Sequence, residues 1–423
     1  MTLPVIGFAG MTHLGLVSAV SATEKGFTLV CFDPDAARIT ALRQGNMPVS
    51  EPQLDELVAK NAERLRFTSD AADLKACDVI YVAPDVATDD RGQSDLQTIN
   101  VLLDTVFAAT RADAVIVVLS QVPPGFTRGK QREGRIIYYQ VETLIFGWAV
   151  ERALYPERYI VGCADPAQPL PAAFRDFLEA HGCPILPMRY ESAELAKISI
   201  NMCLVASVTT ANTLAELCEK IGADWSEIVP ALKLDKRIGP HSYLAPGLGI
   251  AGGNLERDLA TVCNFADQYG TDANMVRAWI GNSQYRRDWA LRTLYREVLS
   301  KTADPVVAVL GLAYKQDTHS IKNSPSIALL SSLLPFRVRL FDPVVPASAA
   351  PNPHRSAAVS ELEACDGADV LVIMTPWGQF RSLDPVAIAS RLRGKIVLDP
   401  YVVLDRATCL AAGLEYHTLG VAA

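Results

Sequence analysis

The sequence predicts an α/β fold, in which two α/β halves with parallel sheets flank a helical middle, and three patterns in its 423 residues indicate this. In the first part, short apolar runs alternate with helical stretches, which is typical of strands buried on both faces of a parallel sheet. After residue 189 a long run of helix-forming residues begins, and from about residue 301 the alternation resumes. The sequence therefore predicts three domains, at 1–189, 190–300 and 301–423.

The predicted strands are short and apolar, and each is followed by a helical stretch or a turn. In the first half they are PVIGFAG, TLVCFD, DVIYVAP, AVIVVLSQV and RIIYYQV, and in the second half DPVVAVLGLAYK, FRVRLFDP, ADVLVIMTP and GKIVLDP. Only about fifteen residues separate Gly125 from Gln140, so we expect any crossover helix between them to be short.

The composition narrows the possible partners and compartments. Half of the residues are hydrophobic, which is enough for a sizeable core, and a net charge of -8 without a basic block argues against nucleic acid. No signal peptide is recognisable, and no apolar run approaches about 18 residues, so we expect no membrane partner. Nine scattered cysteines without paired spacing predict reduced thiols in a cytoplasmic protein that has no metal site.

A long helix is predicted from Tyr190 to Gly222, with apolar residues on all of its sides. Such a helix either bridges two domains or forms the contact between two subunits, and we therefore expect a homodimer. The alternative is an ordinary buried core helix.

The N-terminal strand leads through a turn into a helix, with Gly10, Thr12 and Gly15 in the pattern G-x-T-x-x-G. Such a turn presents backbone N–H groups and the positive end of the helix to a phosphate. The middle position is usually glycine, so that the backbone can approach a pyrophosphate. Either the Cβ of Thr12 pushes the cofactor outward or its hydroxyl group binds a phosphate.

Asp33 ends the second predicted strand, eighteen residues beyond Gly15. A carboxylate there accepts a hydrogen bond from the ribose 2′-hydroxyl of a dinucleotide and repels a 2′-phosphate. The first domain is therefore predicted to be Rossmann-like and to bind NAD in preference to NADP. The alternative is an ordinary α/β turn that binds nothing.

A segment rich in glycine and proline, RIGPHSYLAPGLGIAGGNLERD, runs from Arg237 to Asp258. Glycine and proline are poor in the interiors of both helices and strands, so we expect an irregular loop. Glycines would let the backbone of this loop close around a ligand.

Six segments together resemble one family, the UDP-glucose/GDP-mannose (nucleotide-sugar) 6-dehydrogenases, in the same order along nearly the whole chain. They are SQVPPGFT, ETLIFGWAVERALYPERYIVG, AELAKISINM, the glycine-rich segment, VLGLAYKQDTHSIKNSPS and TPWGQF. The resemblance implies a nucleotide-sugar substrate and a C-terminal Rossmann-like domain that binds it. It also implies oxidation of a C6 alcohol to a carboxylate by two NAD, through a thioester on a cysteine.

The resemblance assigns catalytic roles to particular residues. Lys197 and Asn201, four residues apart on one helix face, match the family's oxyanion-stabilising pair. Asp258 matches the loop carboxylate that positions the lysine and a water, and Glu142 matches the carboxylate that assists hydrolysis. Without the resemblance, the same residues would be a solvated lysine, a capped amide and surface charges.

We also predict which residues contact the cofactor and the substrate. The cofactor contacts are Gly10, Thr12, Gly15, Asp33, Ser120 and Gln121, and the substrate contacts are Arg237, Tyr243, Gly247, Gly249, Lys315 and Lys322.

The chain departs from the family at the nucleophile, because Asn254 stands where the cysteine is expected. An amide does not add to an aldehyde as a thiolate does. The nearest cysteine in the sequence, Cys263, is expected on the following helix as a core thiol. Other departures are Gln121 for Thr, Phe146 for a second Glu, Lys322 for Arg and Tyr401 for Arg.

Two hypotheses follow. The first is an NAD-dependent nucleotide-sugar dehydrogenase with altered chemistry, which stops at a carbonyl or oxidises an aldehyde hydrate with Glu142 or Lys197 as the base. The second is a non-catalytic or regulatory relative that binds NAD or a nucleotide-sugar. The retained acid and base residues favour the first.

Overall fold

The structure is a computed structural model that describes residues 3–89, 93–142 and 144–422. The chain divides into two compact units, Met1–Ile200 and Asn201–Ala423. Each unit contains one sheet, and each is described separately.

The first unit contains an eight-stranded sheet. Its strands are β1 (Val5–Ala9), β2 (Thr28–Phe32), β3 (Leu65–Thr68), β4 (Val79–Val82), β5 (Val115–Val118), β6 (Ile136–Gln140), β7 (Tyr159–Cys163) and β8 (Ile185–Arg189). Their order is β3-β2-β1-β4-β5-β6-β7-β8, and all neighbours are parallel except β6 and β7, which are antiparallel. All five strands predicted in this half are confirmed, whereas β3, β7 and β8 were not predicted.

Helices cover both faces of this sheet because its strands alternate their side chains between two hydrophobic clusters. In β4, Val79 and Tyr81 join one cluster, and Ile80 and Val82 join the other. The helices are α1 (His13–Glu24), α2 (Ala36–Arg43), α3 (Leu54–Lys60), α4 (Gln97–Ala109), α5 (Phe126–Gly129), α6 (Ala149–Leu154) and α7 (Ala172–Glu179). The short crossover helix expected between β5 and β6 is α5, with four residues.

The predicted long helix is confirmed as α8 (Tyr190–Ile221), which has 32 residues. The boundary between the two units falls within it. By length and composition alone α8 could cross a membrane, although no such apolar run was expected. This is weak evidence, because a helix of a globular domain meets the same criterion. Several of its large apolar side chains are exposed, namely Leu195, Leu214, Leu217 and Ile221.

The second unit continues with α9 (Trp225–Leu234), α10 (Asn254–Tyr269), α11 (Asn274–Arg287) and α12 (Trp289–Leu294). Between α9 and α10 the chain is irregular up to Gly253, as the glycine-rich pattern predicts. The last five residues of the segment, from Asn254 to Asp258, are instead the first part of α10. The expectation of an irregular loop was wrong there, because Leu255, Glu256 and Arg257 are good helix formers.

The second sheet has six parallel strands. They are β9 (Val306–Leu310), β10 (Arg337–Phe341), β11 (Arg355–Ala357), β12 (Val370–Ile373), β13 (Ile396–Leu398) and β14 (Glu415–His417), in the order β11-β10-β9-β12-β13-β14. Its helices are α13 (Pro325–Ser332), α14 (Glu361–Cys365), α15 (Pro385–Arg391) and α16 (Arg406–Ala411). In both sheets the first strand lies between the second strand of the series and a later one, as in Rossmann-like folds. The predicted α/β class is confirmed.

Candidate active site

Two glycines allow the turn after β1 to pack closely against its neighbours. Gly10 has a φ of +96°, and a Cβ there would lie 2.8 Å from the nitrogen of Pro84. A Cβ on Gly15 would lie 1.9 Å from the carbonyl oxygen of Gly10. Neither position accepts a larger residue without moving the backbone, so the glycine pattern of the predicted cofactor turn has a steric cause.

Thr12 immediately precedes α1 and connects the turn to the end of β4. Its Oγ1 accepts a hydrogen bond of 2.8 Å from the backbone nitrogen of Asp85. The carboxylate of Asp85 in turn accepts a bond of 3.0 Å from the backbone nitrogen of His13. The Thr12 hydroxyl therefore acts as an acceptor within the turn and keeps its own hydrogen for donation.

Asp33 lies directly after β2 and is only 2% exposed. Its Oδ2 accepts bonds from the backbone nitrogen of Met11, at 2.7 Å, and from Nη1 of Arg38, at 2.8 Å. The carboxylate thus holds the cofactor turn, and a carboxylate has further lone pairs for a ribose hydroxyl. Arg38, which lies on the first turn of α2 and five residues after Asp33, was not predicted from the sequence.

Ser120 and Gln121 follow β5. Ser120 is fully buried, and its Oγ donates a bond of 2.5 Å to the carbonyl oxygen of Pro84. The predicted cofactor residues thus follow β1, β2 and β5 or begin α1, at the carboxyl edge of the parallel part of the sheet. A helix start, a glycine turn and an acidic residue at this edge fit a dinucleotide such as NAD.

A buried His–Glu pair adjoins the turn and was also missed. Nε2 of His13 lies 2.8 Å from Oε1 of Glu51, and both side chains are largely buried. The ring of His13 stacks on Phe146 with 4.1 Å between the ring centroids. Glu51 also accepts bonds from the backbone nitrogen of Gly147. The residue expected to be a second glutamate is therefore an aromatic partner of a histidine.

Glu142 follows β6 and is half-buried. Its Oε1 is buried and has no hydrogen-bond partner among the described residues. Burial raises the pKa of Glu142 to about 7, and the negative charge of Asp85 contributes in the same direction. The positive charges of Lys197 and Arg152 oppose the rise in pKa. A carboxyl group with such a pKa can exchange a proton near neutral pH.

Lys197 and Asn201 lie one turn apart on α8, on the same helix face as predicted. In the second unit, Nδ2 of Asn201 donates a hydrogen bond of 2.5 Å to Oδ2 of Asp258. Both side chains are buried, and the other oxygen of Asp258 lies 3.6 Å from Nε of Arg257. A buried carboxylate is thus held by an amide and a guanidinium group, as buried charges require.

Asn254 is the first residue of α10 and is exposed. Asp258 lies one turn further along α10, on the same side. Cys263 lies nine residues beyond Asn254, which corresponds to the opposite side of a helix with 3.6 residues per turn. It packs against a small hydrophobic cluster, and burial raises the pKa of its thiol. Cys263 is therefore not a replacement nucleophile on the Asn254 side.

The glycine loop is held against two helices. Gly249 has a φ of +76°, and a Cβ there would lie 2.3 Å from the carbonyl oxygen of Ser283 in α11. The backbone nitrogen of Gly247 donates a bond of 2.8 Å to Asn212 in α8. Earlier in the loop, Arg237 and Tyr243 are exposed.

The loop after β9 contacts the end of the glycine loop. The carbonyl oxygen of Lys322 accepts a bond of 3.2 Å from the backbone nitrogen of Gly252. Asn323 donates to the carbonyl oxygen of Gly252, at 3.1 Å, and to the carboxylate of Glu256. Lys315, in the same loop, is half-buried. Asn323 and Glu256 were missed, since residues so far apart in sequence give no local signal.

The first unit has the features of a dinucleotide-binding domain, and the second has an α/β domain of its own. Among residues 3–89, 93–142 and 144–422, no group of three or more His, Cys, Asp or Glu side chains could hold a metal ion. The fold and the glycine turn after β1 thus define the class of the protein: it is a dinucleotide-binding protein with a second α/β domain.

Family models identify the class further. Models of the UDP-glucose/GDP-mannose dehydrogenase family match this chain in three parts: the NAD binding domain at 4–174, the central domain at 191–283 and the UDP binding domain at 308–406. The chain therefore belongs to the UDP-glucose/GDP-mannose dehydrogenase family, the NAD-dependent nucleotide-sugar dehydrogenases, and its cofactor is NAD.

Individual relatives are similar to this chain over nearly its full length. A UDP-glucose 6-dehydrogenase of Pseudomonas aeruginosa is 30% identical over 446 residues, which cover 99% of this chain and 97% of the relative. One of Rickettsia typhi is 28% identical over 431 residues, which cover 98% and 99%. The solved structure of a UDP-glucose dehydrogenase from Pyrobaculum islandicum superposes with a TM-score of 0.86 at 26% identity, covering 100% of this chain and 98% of that one.

Proposed function

We propose that this protein oxidises an alcohol group of a nucleotide-sugar and that its chemistry is altered because Asn254 replaces the nucleophile. UDP-glucose is the first substrate to test, since the relatives in P. aeruginosa and R. typhi are named for it. The observation that carries the proposal is the buried hydrogen bond between Asn201 and Asp258. A protein that only bound ligands would have little use for a desolvated carboxylate of this kind, which costs stability to bury.

In this proposal, NAD bound at the turn after β1 supplies the hydride acceptor. Lys197 and Asn201 stabilise the negative charge that develops on the substrate oxygen. Asp258 orients Asn201 through their hydrogen bond. Glu142 takes up a proton, since its pKa of about 7 lets both protonation states occur near neutral pH.

The exposed amide of Asn254 cannot form the thioester through which the family's second oxidation would pass. We therefore expect the reaction either to stop at the carbonyl compound or to continue slowly through its hydrate. In the second case, Glu142 or Lys197 acts as the base.

The remaining assignments belong to the same proposal. NAD contacts Gly10, Thr12, Gly15, Asp33, Ser120 and Gln121, and the nucleotide-sugar contacts Arg237, Tyr243, Gly247, Gly249, Lys315 and Lys322. The functional domains are 1–189, 190–300 and 301–423, in a cytoplasmic protein. The exposed leucines of α8 support a homodimer, because apolar side chains on one long helix are typical of a subunit contact.

A second function is a non-catalytic or regulatory relative that binds NAD or a nucleotide-sugar. The specific observation in its favour is that two side chains with expected chemical roles are replaced, by Asn254 and by Phe146, which stacks on His13. This function predicts ligand binding without turnover.

Formation of NADH with a panel of UDP-, GDP- and dTDP-sugars distinguishes the two functions. Thermal shifts with the same sugars show which of them binds, since a ligand stabilises the folded state that binds it. NADH formation with a sugar that also stabilises the protein supports the dehydrogenase. Stabilisation without any NADH would favour the regulatory relative.

A further inference from the structure

A cavity of about 60 Å³ that water can enter lies within the first unit, next to Glu142. Residues of β1, β4, α1, α6 and α7 line it, which places it between the sheet and one of its helical layers. We call it the Glu142 cavity. Its polar lining includes Ser18, Gln140, Glu142, Arg152 and His181.

The size and polarity of the Glu142 cavity suit water. A bound water needs roughly 10–15 Å³ of such space and two to four polar partners. The cavity is therefore large enough for about four waters. A cavity lined only by apolar groups would remain dry, but here hydroxyl, amide, carboxyl and guanidinium groups share the wall with aromatic rings.

One residue in the wall of the cavity, Glu142, has a buried oxygen that can still accept a hydrogen bond. Oε1 of Glu142 is buried and has no partner among the described residues, although buried polar atoms are almost always hydrogen-bonded. The charged groups that act on this carboxyl are Lys197, Asp85 and Arg152. A bridging water satisfies such an oxygen nearly as well as a protein donor does.

Another part of the lining is partly exposed and includes Arg158 and His181. Nδ1 of His181 lies 3.1 Å from the carbonyl oxygen of Phe177, which can only accept, so Nδ1 carries the hydrogen. Nε2 then keeps a lone pair that can accept from water. Burial lowers the pKa of His181 to about 4, which keeps the ring neutral at physiological pH.

We propose that the Glu142 cavity binds a short chain of waters that hydrogen-bonds to the Glu142 carboxyl group and carries its protons to solvent near Arg158 and His181. The inference rests on the proposed function in that Glu142 takes up a proton during turnover. The Glu142 O–H bond breaks, its proton passes to the adjacent water, and each water hands one proton onward until solvent receives it. The carboxylate is then ready for the next cycle, and no electrons are transferred.

Ala153→Val tests the proposal, because Ala153 lines the cavity and its added methyl groups take the place of water. Ala108→Val is the matched control, at an exposed position of α4 outside the lining. The readout is the infrared carboxyl band of Glu142, identified by its loss in Glu142→Gln and titrated in the full-length protein. We expect the midpoint to rise by about one pH unit in Ala153→Val, since loss of water disfavours the charged carboxylate. The control leaves it unchanged.

An unshifted band in a folded Ala153→Val protein would overturn the water chain. A crystal structure of the unmodified protein at high resolution provides a second test that needs no variant. Ordered waters within hydrogen-bonding distance of Oε1 support the proposal, and a dry cavity rejects it. Normal turnover of Glu142→Gln would instead reject the proposed role of Glu142 in catalysis, so the two failures are distinguishable.

Discussion

Two glycine turns in this molecule each lead into a helix, and they differ in what a substitution does to them. The turn after β1 has Thr12 in place of a glycine, yet its hydrogen bonds to Asp33 and Asp85 are made. The glycine loop leads into α10, whose first residue, Asn254, stands where the resemblance places a cysteine, and the backbone of this loop is held by Asn212, Ser283 and Asn323.

From this difference we expect a site formed by the backbone to tolerate a changed side chain better than a site formed by one reactive atom. At the first turn, we propose that backbone N–H groups bind the cofactor, so a side chain at Thr12 can be accommodated. Before Asn254 the backbone is also held by hydrogen bonds, but on our proposal the reactive atom itself is replaced. Fold and cofactor binding can thus persist while the reaction changes.

The largest expected effect comes from Lys197, which provides charge rather than backbone geometry. Lys197→Ala is expected to lower kcat by about 10²–10³, the typical effect of removing one electrostatic donor from the transition state. Folding should change little, because the side chain is only half-buried. Steady-state rates together with a thermal melt check this, and a variant that turns over normally would contradict the assignment of Lys197.

Gly249→Ala tests whether the glycine loop depends on its backbone conformation, and Gly247→Ala is the control. Gly249 has a positive φ and a Cβ would clash with Ser283, whereas a Cβ on Gly247 meets none of the described residues within 4 Å. We expect Gly249→Ala to lower the free energy of unfolding by about 1–3 kcal/mol, the usual cost of such backbone strain. Chemical denaturation measures it, and equal stability of the two variants would show that the loop is not sterically defined.

A smaller effect is expected at Asp33. Asp33→Ala removes the acceptor of the Met11 and Arg38 bonds and should weaken NAD binding by about tenfold, or 1.4 kcal/mol. Calorimetric titration with NAD and NADP measures both affinities. If the unmodified protein bound NADP as tightly as NAD, the role given to Asp33 would be wrong.

A further expected effect is a pH dependence of the free energy of unfolding that comes from Glu142. Burial raises its pKa from the ordinary 4.5 to about 7, so the folded state binds a proton in this range that the unfolded state has lost. The free energy of unfolding should therefore fall as the pH rises from about 4.5 to about 7. Chemical denaturation of the unmodified protein and of the Glu142→Gln variant at several pH values isolates the part of this pH dependence that comes from Glu142. Parallel pH profiles would contradict the raised pKa.

Much of the fold was readable from the sequence because buried strands carry continuous apolar runs. The strands that were missed at the sheet edges are short or contain polar residues and proline, as in LRFT of β3, ILPMR of β8 and EYH of β14. Their pairing depends on neighbours far away in the sequence rather than on local pattern.

The candidate site was only partly readable for the same reason. Gly10 and Asp33 could be found because motif spacing places them, and both lie at the strand ends where they were expected. The pairing of His13 with Glu51 joins residues that are 38 positions apart, and Asn323 reaches Glu256 across 67. No periodicity encodes such contacts, since they arise only when the tertiary fold forms.

Our main proposal for this protein is that Asn254 removes the covalent intermediate while oxidation by NAD remains. It is tested most directly by mass spectrometry of the protein quenched during turnover, with NADH counted per sugar consumed. We expect no sugar acyl adduct on any residue, and either about one NADH per sugar with a trappable carbonyl product or a slow second oxidation. A sugar acyl adduct on any cysteine, Cys263 included, would contradict it, because a working nucleophile would then exist elsewhere in the chain.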